Sequence, residues 1–119
     1  MLEAKEKIMG FGHAVYSTED PRSDIIKSWA KKLSEQNGDD TLYQVSEEID
    51  KVMDEEKNLF PNVDFYGGLL LAELGFDVDL FTPIFVAGRS VGWASHYFEQ
   101  REQDILIRPA AKYTGPSER

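Results

Sequence analysis

Turn signals divide this chain into segments of helical length, and that spacing is the strongest constraint on its fold. Between the signals, apolar residues recur three and four positions apart, which is the spacing of one helix face. No stretch alternates apolar and polar residues for long enough to form a sheet. The sequence therefore predicts an all-α fold. The turn signals are Gly10, Asp20-Pro21, Asn37-Gly38, residues 58–62 and Gly75.

The same signals predict a series of helices, each with its own caps. One helix begins behind Asp20, as the N-cap, and ends at Gly38, and a second helix follows it. A third covers residues 63–74 behind the capping residue Asn62, and a fourth covers about 79–101. The acidic face of the second helix is predicted to be solvated. The residues predicted to face the core are Ile25, Ile26, Trp29, Ala30 and Leu33 in the first helix and Leu42, Val45, Ile49, Val52 and Met53 in the second.

Both ends of the chain are predicted to differ from the capped helices between them. Residues 2–9 have the pattern of the last part of a helix, which glycines at positions 10 and 12 would stop. Residues 105–109 are too few for a stable helix and are predicted to be extended. We therefore expect a helical domain over residues 1–104 and an extended tail over residues 105–119. A chain of 119 residues can bury a core without disulfides or metals.

Charge and composition disfavour several classes of function. The chain has 22 Asp and Glu against 13 Lys and Arg, a net charge of −9, which repels phosphate backbones and anionic lipid. We therefore expect no nucleic-acid partner and no membrane partner. The absence of cysteine removes disulfides, thiol nucleophiles and cysteine-bound zinc, and two histidines are too few for most histidine-rich metal sites. No signal-peptide pattern is present at the start of the chain, so the expected location is the cytoplasm.

Two glycine-containing segments have features that packing alone does not explain. In residues 10–13 (Gly-Phe-Gly-His), glycines would let the backbone approach a ligand and would leave free amides, although a helix stop followed by a turn is the commoner explanation. Asp64 is predicted in the first turn of a helix, where an acid is usually a partner of the helix dipole. Gly67 and Gly68 follow it, and because glycine destabilises a helix interior, another helix or a ligand is expected to approach there.

Three arginines stand at positions where a bound anion would fit. Arg89 is the only charged residue between Pro83 and Phe98, and its guanidinium needs either an internal carboxylate or a bound anion as partner. The sequence favours neither of these two partners over the other. Small residues around Arg89 predict closely packed helices. Arg22 and Arg108 stand beside prolines, and each alone is typical of a surface, but the three together would suit a small polycarboxylate.

Several segments occur in the order and spacing of a known family. They are Met9-Gly-Phe-Gly-His-Ala-Val-Tyr16, Asp20-Pro-Arg22, Asn62-Val-Asp-Phe-Tyr66, Leu80-Phe-Thr-Pro83, Arg89-Ser-Val-Gly-Trp93, Glu99-Gln100 and Ile107-Arg-Pro109. These segments are spread from residue 9 to residue 109, so the match covers nearly the whole chain. They resemble the C-terminal part of the citrate synthase family in its bacterial and archaeal type, which includes 2-methylcitrate synthases.

The resemblance implies an all-helical small domain of a homodimeric enzyme that condenses acetyl-CoA with oxaloacetate without a metal or a cofactor. His13 matches the histidine that hydrogen-bonds the oxaloacetate carbonyl, and Asp64 matches the base that deprotonates the acetyl methyl group. Arg22 and Arg89 match arginines that hold the oxaloacetate carboxylates, and Arg108 matches one delivered across the dimer interface. The segment that contacts coenzyme A is matched by Met9, Gly10, Phe11 and Gly12.

The chain also departs from the family pattern. Nothing in it matches the upstream histidine that supports the thioester enol, or a further upstream histidine that binds substrate. Ala14 and Ser17 stand near positions where many bacterial relatives have basic residues, and no catalytic role carries over to His96. The resemblance therefore implies a fragment, a split subunit or a truncated chain that is inactive alone. Two alternatives remain, namely a 2-methylcitrate synthase that uses propionyl-CoA and a non-catalytic ligand-binding or assembly module.

Overall fold

The computed structural model describes residues 7–104, 112, 114 and 115, and most of these residues are in helices. The described residues contain no strand, only an isolated antiparallel bridge between Phe11 and Pro61, so the all-α prediction is confirmed. The chain divides into two compact units, Met1–Phe81 and Thr82–Arg119. The helices are α1 (Ser23–Asn37), α2 (Thr41–Lys57), α3 (Val63–Glu73), a 3-10 turn (Val78–Leu80) and α4 (Phe81–Gln103).

Most helix boundaries follow local capping chemistry, as predicted. Gly38 closes α1 with a φ of 77°, a left-handed conformation that glycine adopts without a steric penalty. Asn62 caps α3, because its Oδ1 accepts a hydrogen bond from the Asp64 N–H at 3.0 Å. Gly75 lies just beyond the end of α3 with a φ of 83°. The fourth helix also forms, and the 3-10 turn precedes it.

The prediction that Asp20 caps α1 is wrong. The helix begins at Ser23, and the N-cap position belongs to Arg22, which makes no side-chain cap bond. The backbone carbonyl of Asp20 accepts from the Ser23 N–H at 2.9 Å, which closes a turn ahead of the helix. The Asp20 carboxylate is used by the Arg22 side chain and by the start of α3 instead. The Asp20-Pro21 pattern therefore predicted the turn correctly. It was wrong about the Asp20 carboxylate, which does not cap α1.

The core of the first unit lies where α1 packs on α3. Ala30 and Tyr66 are fully buried there, and Tyr43 of α2 and Leu69 of α3 complete the cluster. Helix α1 turns its small residues towards this contact, since its buried positions are Ser23, Ala30 and Ser34. Small side chains let two helices approach closely. Because the small residues of α1 face α3, its exposed large apolar residues lie on a different side of the helix.

The predicted core faces of α1 and α2 are only partly correct. Ala30 and Met53 are buried as predicted, but Ile25 and Trp29 are 62 % and 57 % exposed. On α2 the side that packs inwards carries Tyr43, and the apolar stripe lies on the other side. That stripe is exposed, and its residues Val45, Ile49 and Val52 line a cleft of about 510 Å³ with Ile8. The stripe consists of Leu42, Val45, Ile49 and Val52.

A polar network lies under the start of α3. Tyr66 donates its hydroxyl hydrogen to Asp50 Oδ2 at 2.7 Å, and Lys27 Nζ donates to the same oxygen at 3.0 Å. The Lys27 ammonium also lies 5.0 Å from the centre of the Tyr66 ring, close enough for a cation–π contact. The predicted solvation of the acidic α2 face is therefore wrong for Asp50, which connects all three helices of the unit.

In the second unit, α4 buries none of its residues. Among the described residues nothing shows the close packing predicted from its small residues, and a Cβ added to Gly88 would meet nothing within 4 Å. Large apolar side chains such as Trp93 and Phe98 are more than half exposed. None of the described helices combines the length and the apolar character needed to cross a bilayer.

The predictions for the chain ends fall largely outside the described residues. Residues 2–6 of the predicted N-terminal helix and the predicted extended piece at 105–109 are not among them. Residues 7–9 are described and are not helical. They lead directly into the glycine turn at Gly10, whose φ is 90°.

High pH is expected to destabilise the first unit through its buried tyrosines. Burial and the bond to Asp50 raise the pKa of Tyr66, and burial likewise raises that of Tyr43, from an ordinary value of 10.0. The unfolded chain ionises these phenols from about pH 10, while the folded chain keeps them protonated. Stability is therefore full below that pH and falls as the pH rises above it. Urea unfolding across this pH range should show a smaller loss for Tyr66→Phe. The same slope in wild type, in Tyr66→Phe and in the exposed control Tyr16→Phe would contradict this account.

Candidate active site

A short stretch of paired backbone fixes the glycine loop to the start of α3. The Gly12 N–H donates to the Phe60 carbonyl at 2.8 Å, and the Asn62 N–H donates to the Gly10 carbonyl at 2.8 Å. The Asn62 side-chain amide adds a bond to the Gly12 carbonyl at 2.9 Å. Asn62 thus caps α3 with its oxygen and holds the loop with its nitrogens. The residues after the loop are positioned by the helix start.

Gly10 makes a close approach to α3, while the predicted approach of this loop to a ligand stays a prediction. Its φ of 90° belongs to the left-handed region, and a Cβ built there would lie 3.0 Å from the Phe65 Cβ and 3.1 Å from the Phe65 Cα. The Phe11 and Phe65 rings stack with their centres 4.5 Å apart. The loop therefore packs directly on α3. Of the two glycines in α3, Gly68 has the Phe81 ring 3.7 Å from a Cβ built on it, whereas no atom of the described residues lies within 4 Å of one built on Gly67.

His13 is held by the backbone that follows it. Its Nδ1 accepts hydrogen bonds from the Val15 N–H at 3.0 Å and the Tyr16 N–H at 3.1 Å. A neutral imidazole that accepts at Nδ1 carries its hydrogen on Nε2, so Nε2 is a hydrogen-bond donor. The Tyr16 ring lies against the imidazole, with ring centres 4.5 Å apart. His13 is exposed, and its donor nitrogen is available to a ligand.

Arg22 is anchored by the buried carboxylate of Asp20. Its Nε donates to Oδ1 at 2.8 Å and its Nη2 to Oδ2 at 2.7 Å, a bidentate pair. These bonds hold the pKa of Asp20 far below its ordinary value of 3.8, against the opposing effect of burial. The same bonds raise the pKa of Arg22, and the charge of Asp64 adds to that rise. Because the pair uses one edge of the guanidinium, the Nη1 edge can still donate to a second anion.

The same carboxylate also reaches the start of α3. Asp20 Oδ2 accepts from the Val63 N–H at 3.1 Å, one of the amides that a helix start leaves without an intrahelical partner. Arg22 lies 5.8 Å from the Tyr16 ring centre, and Tyr16 stacks on His13. His13, Arg22 and the first turn of α3 are therefore connected by an unbroken series of contacts.

Asp64 lies in the first turn of α3, with an exposed side chain. It lines a cleft of about 540 Å³ together with the glycine loop, so the candidate base and most of the candidate coenzyme A segment share one space. Lys7 and Lys57 also line this cleft and supply positive charge. The residues of the predicted site that line it are Met9, Gly10, Phe11 and Asp64.

The structure connects His13, Arg22 and Asp64 within the first unit. Arg89 lies on α4 in the second unit, exposed, with its guanidinium carbon 4.8 Å from the Phe85 ring centre. Among the described residues no carboxylate forms an ion pair with it. Arg108 lies outside the described residues. Sequence interpretation missed the anchoring role of Asp20, although its position two residues before Arg22 was a usable signal.

Comparison with known proteins shows which protein family has this fold and this group of residues. The fold and site define an all-helical domain with a histidine, an anchored arginine and a carboxylate grouped at one helix start. The family described as citrate synthase, C-terminal domain, matches residues 1–110. The chain belongs to the citrate synthase family.

Individual relatives match over nearly the whole chain. The 2-methylcitrate synthase of Shewanella oneidensis is 51 % identical over 99 % of this chain, and citrate synthase 2 of Bacillus subtilis is 50 % identical over 97 %. The match covers 32 % and 31 % of these relatives, so the chain spans about a third of their length. The citrate synthase of Thermoplasma acidophilum, solved with carboxymethyl coenzyme A and oxaloacetate, has a TM-score of 0.80 and 36 % identity. That match covers all of this chain and 33 % of the solved chain.

Replacing Gly10 tests the contact between the loop and α3. Gly10→Ala should lower the free energy of unfolding by about 2–4 kcal/mol, since it adds left-handed strain and a clash with Phe65. Gly38→Ala is the matched control, because Gly38 has a similar φ of 77° but nothing within 4 Å of the added Cβ. It should lose only about 1–2 kcal/mol. If both variants lose the same free energy of unfolding in urea, the close contact between Gly10 and Phe65 does not contribute to stability.

The Asp20 anchor predicts how stability responds to acid. A carboxylate with a lowered folded-state pKa stabilises the protein above its ordinary pKa of 3.8, and that contribution is lost as the pH falls below it. Asp20→Asn should therefore lower stability at neutral pH by about 1–3 kcal/mol and flatten the acid dependence. Asp24→Asn, an exposed acid in the first turn of α1, is the control and should leave that dependence unchanged. An acid dependence identical in wild type and Asp20→Asn would rule out the anchor.

Proposed function

We propose that this chain supplies part of the active site of a citrate synthase, which condenses acetyl-CoA with oxaloacetate to give citrate and coenzyme A. The observation that carries the proposal is that Asp64 and the Met9–Phe11 loop line one cleft, with His13 and Arg22 connected to the same helix start. The family membership and the ternary complex of the Thermoplasma acidophilum relative support the same assignment. No cofactor is required in this proposal, since acetyl-CoA is a substrate.

Asp64 is the proposed base. It removes a proton from the methyl group next to the thioester carbonyl, and the resulting enolate attacks the oxaloacetate ketone. A carboxylate does this well where the proton is within reach and water is excluded. Asp64 is exposed in this chain, so the proposed reaction requires further protein to cover the cleft.

His13 and Arg22 are the proposed oxaloacetate ligands. The Nε2–H of His13 donates to the ketone oxygen, which becomes an alkoxide as the new carbon–carbon bond forms. The Nη1 edge of Arg22 holds a substrate carboxylate while Asp20 keeps the other edge fixed. Arg89 is proposed to bind oxaloacetate as well, and Arg108 to reach the site of a neighbouring subunit in a homodimer.

Coenzyme A is proposed to bind along the glycine loop. Met9, Gly10 and Phe11 offer backbone and apolar surface to the thioester arm, and Gly12 completes the turn. Ala14 and Ser17 cannot supply positive charge for the phosphates. Lys7 and Lys57 line the same cleft and are suitable cations for that purpose.

The isolated chain is proposed to be inactive. It spans about a third of its relatives' length, and it offers no match to the histidine that supports the thioester enol. Loss of one such donor costs about 3–4 kcal/mol of transition-state stabilisation in comparable sites. The remaining part of the fold would supply that donor, cover Asp64 and form the homodimer. A cysteine-free chain of this kind is proposed to act in the cytoplasm.

A 2-methylcitrate synthase that uses propionyl-CoA is the second candidate. The specific observation in its favour is the 51 % identity to a relative of that name, against 50 % for a relative named citrate synthase. The two reactions share the same base and the same oxaloacetate ligands. They differ in the pocket for one extra methyl group on the acyl chain.

Complementation is expected to restore activity that depends on Asp64. The chain is mixed with a second chain carrying the remaining two-thirds of the Bacillus subtilis relative, and thiol release is measured with oxaloacetate and either acetyl-CoA or propionyl-CoA. The mixture should turn over while each chain alone stays at background. Asp64→Asn should lower the rate about 100-fold or more, as expected for loss of a positioned base. Asp79→Asn, an exposed acid of the 3-10 turn, should not change it.

Other outcomes separate the alternatives. Full activity of the complemented Asp64→Asn mixture would show that Asp64 is not the base. Turnover by the folded chain alone would show that the site is complete without further protein. Binding of oxaloacetate or coenzyme A by calorimetry, with no turnover in any mixture, would favour a non-catalytic binding module.

A further inference from the structure

The far ends of α1 and α3 are joined by one asparagine side chain. The Asn37 Nδ2 donates to the Glu73 backbone carbonyl at 2.9 Å and to Glu73 Oε2 at 2.9 Å. Both hydrogens of the side-chain amide are therefore used on the same residue. This contact lies at the opposite helix ends from Arg22 and Asp64.

Asn37 is also followed by the residue that most favours a known chemical change of asparagine. Its neighbour Gly38 has no side chain, and a Cβ built there would meet nothing within 4 Å. The backbone nitrogen of a following residue can attack the asparagine Cγ, and a glycine nitrogen is the least hindered to do so. Ammonia leaves and a five-membered imide forms. Water then opens the ring to aspartate or isoaspartate, so the net change is addition of water and loss of ammonia.

We propose that Asn37 is a site of spontaneous deamidation and that its two hydrogen bonds to Glu73 keep it intact while α1 and α3 stay packed. Two further features of the folded chain support this protection. Asn37 is the last residue of α1 and has helical backbone, and the Gly38 N–H donates to the Glu35 carbonyl at 3.3 Å. Attack therefore requires the last turn of α1 to open and the side-chain amide to leave Glu73.

The reaction would remove the contact that had prevented it. Aspartate at position 37 has no hydrogen to donate to the Glu73 carbonyl, and its carboxylate would face the Glu73 carboxylate. Like charges at that separation repel. Deamidation would thus leave the ends of α1 and α3 unable to close again, and the change is irreversible.

Peptide mapping by mass spectrometry tests the protection by Glu73. The folded chain is incubated at mildly alkaline pH, and the mass gain of deamidation is followed at Asn37. Asn58 and Asn62 serve as internal controls, because Leu59 and Val63 follow them and hinder the attack. Deamidation is expected at Asn37 alone, several-fold slower than in the chain unfolded with urea. Glu73→Ala should raise the folded rate several-fold, and Glu73→Gln, whose side-chain oxygen can still accept, should raise it less.

A rate at Asn37 that is the same in wild type and in Glu73→Ala, or lower in Glu73→Ala, would overturn the proposal. So would equal rates at Asn37 and Asn58 in the unfolded chain. If Glu73→Ala loses its helical circular dichroism, the comparison of the folded wild type and the folded Glu73→Gln variant with the urea-unfolded chain decides instead. Equal rates in these two and in the urea-unfolded chain would show that the contact protects nothing.

The consequence for stability has a separate test in Asn37→Asp. This variant should unfold at a lower urea concentration than wild type at neutral pH. A midpoint equal to that of wild type would show that deamidation leaves the α1–α3 contact intact.

Discussion

The buried carboxylate of Asp20 is the contact on which the geometry of the candidate site depends. It is 3 % exposed, and such a group is tolerated inside a protein only when its charge is fully bonded. Here the donors are the Arg22 side chain and backbone and the Val63 N–H. These donors belong to the starts of two different helices. One side chain therefore fixes α1 and α3 at the ends where the proposed oxaloacetate ligand and the proposed base lie.

Asn62 fixes the position of the glycine loop, as Asp20 fixes the two helix starts. Its oxygen caps α3, and its nitrogens hold the carbonyls of Gly10 and Gly12. The loop can lie flat on Phe65 only because Gly10 has no side chain and adopts a positive φ. A helix start, a turn before α1 and a loop from further upstream are thus assembled without a sheet. This part of the candidate site is therefore built from side chains and backbone near one helix start.

Local chemistry made part of this structure predictable from sequence. The ends at Gly38, Asn62 and Gly75 follow from capping and from the tolerance of glycine for positive φ, which depend on neighbouring residues alone. The exposed faces of α1 and α2 were not predictable, since a helical pattern shows which side is apolar but not which element covers it. The order of matching segments led to His13, Arg22 and Asp64. The bonds that connect them join residues 43 and 50 positions apart, and no local pattern reports such pairs.

The small buried side chains of α1 have a mechanical consequence. Ala30 is fully buried against α3, and Ser34 is fully buried on the same side of α1 one turn further on. They set the distance between α1 and α3, and the starts of these two helices carry Arg22 and Asp64. A larger side chain at position 30 would collide with α3 and would tilt one helix relative to the other. The separation between the Arg22 guanidinium and the Asp64 carboxylate thus depends on a residue that touches neither, and substitutions there would change the alignment of these two proposed site groups without altering the chemistry of either one.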